Sequence, residues 1–355
     1  MNVKNSELSC KDIIWNTKIK LPYVLLIVLL SLVFLAAGQY TLFKSQNPTP
    51  PAVVVQSDDC PPPPTVRYRM NEYQFTHPLL LVDRFIESKD MMSLKNEVAL
   101  MLEQKKQAGI IDAGSVYLRD MTSTDWMCVQ PEEEFNPGSL IKVPIMMTYL
   151  REAEINPGLL NKKLSLDARR QVPRQTYEGD RILPGKSYSI RELLYYMVVK
   201  SDNYATLLLN ENVNIPVFKK LFVDLGLPEP DVHDPDFHIT SVNYSKFMRV
   251  LYNASYVNNE NAEYALSLLV QSDFNEGIVK QLPPDIKVAR KFGEWGNSKD
   301  SNNHQLHESG IVYINKNPYL ITIMTKGRHV LPLPQAVSDI SKLVYDRMSV
   351  KQPKS

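Results

Sequence analysis

The chain has 355 residues, 44% of them apolar and 22% charged, enough to bury one sizeable core and too apolar for a disordered polymer. Forty basic residues against 39 acids leave a net charge of +1, which offers no basic surplus for nucleic acid and no strong field for a charged partner. The three cysteines, Cys10, Cys60 and Cys128, are spread too widely for a zinc site, and the six histidines show no ligand spacing beside them.

The run Leu21 to Gly38 (LPYVLLIVLLSLVFLAAG) is 18 residues without a charge, close to the roughly 20 that span a bilayer core. It reads as a transmembrane helix. Lys4, Lys11, Lys18 and Lys20 precede it and only Lys44 follows closely, so the positive-inside rule puts residues 1–20 in the cytoplasm and the rest outside. A cleaved signal peptide is the competing reading, but the stretch exceeds the usual apolar region of about 7–15 residues and Ala36-Ala37-Gly38 is an indifferent cleavage site. With this topology only Cys60 and Cys128 share a compartment, and the location of Cys60 in a linker argues against their pairing.

From Ser45 to about Val66 proline dominates, including Pro50-Pro51 and Pro61 through Pro64, which favours an extended spacer. The spacer and an ambiguous preface, with Pro78-Leu79-Leu80-Leu81 packing onto the main domain, occupy residues 39–90. That domain is expected over 91–349, with a short tail at 350–355. Met92 to Lys106 has apolar residues at three- and four-residue spacing, an amphipathic helix. Gly114 to Arg119 alternates as a strand, and a turn at Thr122-Ser123-Thr124 leads into a second.

Helices are expected at about 140–153, 189–199, 203–212, 214–225 and 240–253. Strands come next at Ile311–Ile314 and Tyr319–Thr325, and a last helix runs from about Gln335 to Met348. Strands at both ends with a helical middle imply an α+β domain, one antiparallel sheet with helices on its faces.

Ser139 stands in PGSLIKVPIM at the start of an apolar helix, with Lys142 three residues on and on the same helix face. A serine hydroxyl is a weak nucleophile and needs such a base, while a helix N-terminus offers N–H groups where an oxyanion would form. Ser-x-x-Lys alone is a weak signal. Here it is followed by Ser201-Asp202-Asn203, after a helix whose Ser189 and Glu192 form a capping-box pattern, and then by Lys291-Phe292-Gly293. Each motif occurs once, in that order.

This ordered trio resembles the active-site signature of the class A β-lactamases and penicillin-binding proteins. The flanks Ser115-Val116-Tyr117-Leu118-Arg119-Asp120 and Pro137-Gly138-Ser139-Leu140-Ile141-Lys142-Val143-Pro144 look like that family's first strand and nucleophile helix, so the resemblance extends over residues 91 to 349. It implies a β-lactamase/transpeptidase-like fold. It also implies that Ser139 is acylated, that Lys142 accepts its proton, and that Ser201 passes a proton to the leaving nitrogen. By the same resemblance Asn203 holds the substrate amide and Lys142, Lys291 lines the site, and the N–H groups of Ser139 and Glu294, beside Gly293, form the oxyanion hole. No cofactor is required, and the partners implied are a β-lactam or a peptidoglycan-type peptide, and the membrane through the N-terminal helix.

Two departures stand out. Phe292 replaces the usual threonine or serine, whose hydroxyl helps bind a carboxylate. Second, no Glu-x-x-Leu-Asn lies between Asn203 and Lys291, so the family's base for deacylation is missing, and acyl transfer or slow hydrolysis is expected. The acids of LPEPDVHDPDFHIT, namely Glu229, Asp231, Asp234 and Asp236, read as a solvated loop. Trp295, His304, His307 and Glu308 read as packing or surface, Gly293 as a place of close backbone approach, and Ile145-Met146-Met147 and Tyr195-Tyr196-Met197 as core. The rival from another class is a tethered binding protein that keeps the pocket without turnover. An envelope scaffold would leave the trio unexplained.

Overall fold

A computed structural model describes residues 65–70, 74–232, 234, 236–296, 303–314 and 317–350, all within one compact unit, Pro63–Ser355. The expected cytoplasmic tail, the Leu21–Gly38 span, the spacer up to Pro64, Cys60 and the end of the tail lie outside the described residues. Among the described residues no helix is long and apolar enough to cross a membrane.

The preface is a hairpin. Strand β1 (Thr65–Arg69) pairs antiparallel with β2 (Leu79–Arg84), and its Val66 belongs to the strand rather than to the spacer. Helix α1 (Met92–Gln107) is next, then β3 (Ala113–Asp120) and β4 (Trp126–Val129). The late strands β9 (Lys287–Gly296), β10 (His304–Tyr313) and β11 (Tyr319–Gly327) complete an antiparallel sheet in the order β4-β3-β11-β10-β9. Strands from the start and the end of the domain therefore share one antiparallel sheet, as the sequence pattern implies, while β1 and β2 pair apart from it.

Alternation along the strands divides the core in two. Val116, Leu118, Leu306, Ile321 and Ile323 face Leu94, Val98 and Leu102 of α1 and Ala336, Ile340 and Val344 of the last helix, α8 (Leu333–Val350). Tyr117, Ile311, Leu320 and Met324 face the helical region. That region holds α2 (Lys142–Ile155), α3 (Ile190–Val199), α4 (Asn203–Asn212), α5 (Ile215–Asp224), α6 (Ser241–Tyr252) and α7 (Asn259–Val270), with the short pairs β5 (Glu134–Phe135)/β8 (Ile239–Thr240) and β6 (Lys163–Ser165)/β7 (Ser187–Ser189). Met146, Met147 and Met197 are fully buried core, as their pattern suggests.

Several elements do not follow from the sequence pattern: helix α7, the hairpin β1–β2, the short pairs β5/β8 and β6/β7 and the edge strand β9 are additional to it, and the strand expected at Ile311–Ile314 begins seven residues earlier, at His304. Within it the polar side chains Gln305, His307 and Glu308 are buried and meet partners from distant parts of the chain. Gln305 Oε1 accepts from the Asn136 N–H at 3.0 Å, and Glu308 accepts from the Ile278 N–H at 2.6 Å and lies 3.4 Å from Arg290. Cys128 is a buried free thiol whose pKa burial pushes up to about 11.

Candidate active site

The turn that carries Ser139 is set by glycine. Gly138 has φ +50, and a Cβ there would lie 2.4 Å from the Glu294 carbonyl oxygen; a Cβ on Gly293 would lie 2.3 Å from the Pro137 oxygen. Only two bare backbones can approach so closely. This contact seats the 3₁₀ turn Gly138–Ile141 against the edge strand β9, so that Ser139 and Glu294 sit side by side.

Residues not read from the sequence hold the same turn. The Asn136 side chain accepts from the Gly138 N–H at 3.1 Å. His307 Nδ1 accepts from the Thr325 N–H at 3.2 Å, which puts the proton on Nε2 for donation to the Asn136 carbonyl at 3.0 Å. Burial pushes the His307 pKa down to about 3, so the ring stays neutral and serves as a brace. Glu308 is likewise structural, its carboxyl pushed up to about 7 by burial.

Lys142 opens α2 at the bottom of the cleft and is fully buried. Its amine donates to the Ser201 carbonyl at 2.6 Å, the Ser201 hydroxyl at 3.1 Å and Asn203 Oδ1 at 2.9 Å. Burial outweighs the attraction of Glu178 and Asp202 and brings its pKa down to about 7. From the other side Lys291, equally buried, donates to the Ser201 hydroxyl at 3.0 Å. Burial and the neighbouring Lys142 hold the Lys291 amine well below the usual lysine range. One serine oxygen thus joins two lysine amines, each easily deprotonated.

Ser201 reaches this position at φ +54, a left-handed conformation that costs a non-glycine residue about 1–3 kcal/mol. The capping box of Ser189 and Glu192 starts α3 as expected, and Asp202 caps α4 by accepting from the Tyr204 N–H at 2.8 Å. Asp202 also accepts from the Ile182 N–H at 2.7 Å, which ties the motif to the loop before α3.

That loop supplies the roof, which sequence reasoning missed. The Ser139 hydroxyl donates to Gln175 Oε1 at 3.3 Å, while Gln175 Nε2 donates to the Glu294 carbonyl at 2.9 Å. The N–H groups of Thr176 and Tyr177 both donate to the Glu294 carboxylate at 3.1 Å. Glu178 is buried, paired with Arg181, and accepts from the N–H groups of Asn203 at 2.8 Å and Gln175 at 3.2 Å. The sequence-predicted residues Ser201, Asn203 and Lys291 therefore do converge on Lys142, and Gly293 and Glu294 on Ser139. The expected Ser139–Lys142 pairing takes a different form, since the hydroxyl is turned to Gln175 and the amine to Ser201 and Asn203.

Phe292 stacks on Phe274 at 4.4 Å between ring centroids, Tyr177 meets Phe274 edge-on at 5.3 Å, and the Phe292 ring lies 4.1 Å from Lys291 Nζ. Tyr177 of the roof loop, Phe274 after α7 and Phe292 of β9 thus form an aromatic column beside Lys291, with both phenylalanines buried. Glu229 of the acidic loop pairs with Lys219 on the surface, and Asp234 accepts from the Asp236 N–H. Among the described residues no group of three or more His, Cys, Asp or Glu side chains could hold a metal ion.

Comparison with known proteins agrees with this fold. No curated protein matches the chain. Among solved structures, a β-lactamase from Chitinophaga pinensis is 17% identical with a TM-score of 0.61, covering 73% of this chain and 99% of its own. One from Sphaerobacter thermophilus is also 17% identical, with a TM-score of 0.59 over the same shares. PBP-A, solved in one form as an acyl-enzyme complex with penicillin G, is 15% identical in that form with a TM-score of 0.60, covering 72% and 96%. At such identities these likenesses speak for the fold alone. The sequence profile of the β-lactamase enzyme family, however, matches residues 93–348, more than two thirds of the chain, and the protein belongs to that family of serine hydrolases.

Proposed function

We propose that the protein is an extracytoplasmic, membrane-anchored acyl-transfer enzyme that acylates Ser139 with a β-lactam or a cell-wall-type peptide and releases the acyl group slowly. The observation that carries the reading is the buried Lys142–Ser201–Lys291 chain one turn from Ser139, with the Lys142 pKa at about 7. A neutral amine there accepts the Ser139 proton, directly or through a water, as Oγ attacks the carbonyl carbon. The negative charge that develops on the carbonyl oxygen is met by the N–H groups of Ser139 and Glu294. Ser201 then gives its proton to the leaving nitrogen as the C–N bond breaks, and is reprotonated by the Lys142 ammonium. Asn203, bonded to Lys142, holds the substrate amide, and Lys291 keeps Ser201 in place.

Gln175 accepts from the Ser139 hydroxyl and donates to the Glu294 carbonyl, so its side chain covers the nucleophile and moves aside before acylation. Phe292, buried and stacked on Phe274, supplies no hydroxyl beside Lys291 for a substrate carboxylate, so carboxylate recognition there is weakened. Glu178 is the buried acid of the roof, and its oxygens are engaged by Arg181 and two backbone N–H groups. It is poorly placed to activate a water, which supports slow deacylation. The anchor is the apolar run Leu21–Gly38 with its basic N-terminal flank, and the Pro-rich segment lifts a domain of about residues 91–349 off the membrane.

Intact-mass spectrometry of the full chain with a reactive penicillin, beside Ser139→Ala, tests the reading. A lasting adduct in the wild type and none in the variant is expected. Loss of the penicillin without adduct would replace slow by fast deacylation. Neither adduct nor loss would remove β-lactam chemistry.

A further inference from the structure

A second site lies toward the opposite edge of the sheet from Lys291. The β1–β2 hairpin, which precedes the family-matched residues, folds over the end of β3 and over α6, and the three enclose a cavity of about 520 Å³. Its walls carry Arg84, Arg119 and Arg249 together with Leu79, Leu81 and Met121. In the sheet, β11 and β10 separate β3 from β9, so this cavity is distinct from the Ser139 cleft.

Charge is unbalanced there. Arg119 is only 7% exposed and Arg249 only 4%. Arg249 is paired with Asp83 and donates to the Val82 carbonyl at 3.1 Å. Arg119 forms no ion pair among the described residues; its polar neighbour is the Tyr117 hydroxyl, and Arg249 repels it more than Asp83 attracts it. Arg84 adds a third cation at the exposed rim. A guanidinium cannot escape by losing its proton, so a buried one without a carboxylate is costly until an anion meets it. The cavity is large enough for such a group with a tail, and Leu79, Leu81 and Met121 provide an apolar wall for it.

We propose that this cavity binds an amphiphilic oxyanion, a carboxylate or phosphate on a short apolar chain, with the head on Arg119 and Arg84 and the chain along Leu79 and Met121. The neighbouring Trp126 provides the readout: it is the register partner of Arg119, stacks on Tyr117 at 6.0 Å, and has a buried indole N–H with no hydrogen-bond partner among the described residues.

The full chain is titrated with octyl phosphate, octanoate, inorganic phosphate and octanol, following tryptophan fluorescence and melting temperature. Expected is saturable binding of the two alkyl anions, tighter than either inorganic phosphate or octanol, with a raised Tm and a fluorescence change that Trp126→Phe abolishes. Arg84→Glu, an exposed substitution that leaves the core intact, should weaken this binding about 10- to 100-fold, the size of one lost charge-assisted hydrogen bond. Acylation of Ser139 should be unchanged in that variant. The proposal is overturned if neither alkyl anion saturates, if octanol or inorganic phosphate binds as tightly, or if Arg84→Glu leaves the affinity as it was.

Discussion

Two pairs of buried cations, Lys142 with Lys291 and Arg119 with Arg249, differ in whether the charge can leave. In the cleft Lys142 and Lys291 meet at the Ser201 hydroxyl, and burial lowers both pKa values, so the strain of desolvation is relieved by deprotonation and a base results. Under the hairpin Arg119 and Arg249 are nearly as deeply buried, but a guanidinium stays charged, and relief has to come from a counter-charge. On the proposed readings, the same physics yields a proton acceptor in one region and an anion-seeking group in the other.

The largest effect that tests this comparison is Lys142→Arg. It keeps the positive charge and removes the ability to shed it, so acylation should fall by about 10²–10⁴-fold, the worth of a general base. Stopped-flow or mass-based acylation rates measure it, and near wild-type rates would show that deprotonation is not the point. Gln175→Ala should act in the opposite direction, raising the acylation rate about tenfold by removing one or two neutral hydrogen bonds that close the roof. A slower variant would make Gln175 a substrate contact instead.

Smaller effects concern stability. Arg119→Met should raise stability by about 1 kcal/mol in denaturant unfolding, because an apolar side chain replaces a poorly compensated buried charge. A loss of stability would mean that Arg119 is better paired than its surroundings indicate. Lys142 contributes a pH dependence of its own. Its folded pKa of about 7 lies below the ordinary 10.5, so the unfolded chain holds more protons between those values and stability should rise as pH increases through that window. Lys142→Met should flatten that slope.

The floor of the cleft is legible in the sequence because it is built from short motifs on regular elements. Ser139 with Lys142, and Ser201 with Asn203, lie within single turns of chain, and the capping box marks where α3 begins. The roof is not legible. Gln175 and Glu178 belong to a loop without periodicity, and they reach the site through bonds to Ser139, Glu294 and Asn203, residues that become their neighbours only once the fold exists. Helix α7 is hidden by an asparagine-rich start that reads as a turn, although Asn258 is its cap, and by a buried face that relies on the small Ala262 and Ala265. The first half of β10 is hidden by Gln305, His307 and Glu308, polar residues whose partners come from Asn136, Thr325 and Ile278.

The central claim, that a neutral Lys142 is the base, is tested most directly by the pH dependence of Ser139 acylation by a penicillin in the full chain. The rate is predicted to rise as pH passes through about 7, where Lys142 gives up its proton, and to lose that step in Lys142→Arg. A flat profile in the wild type, or the same step retained in Lys142→Arg, would contradict it.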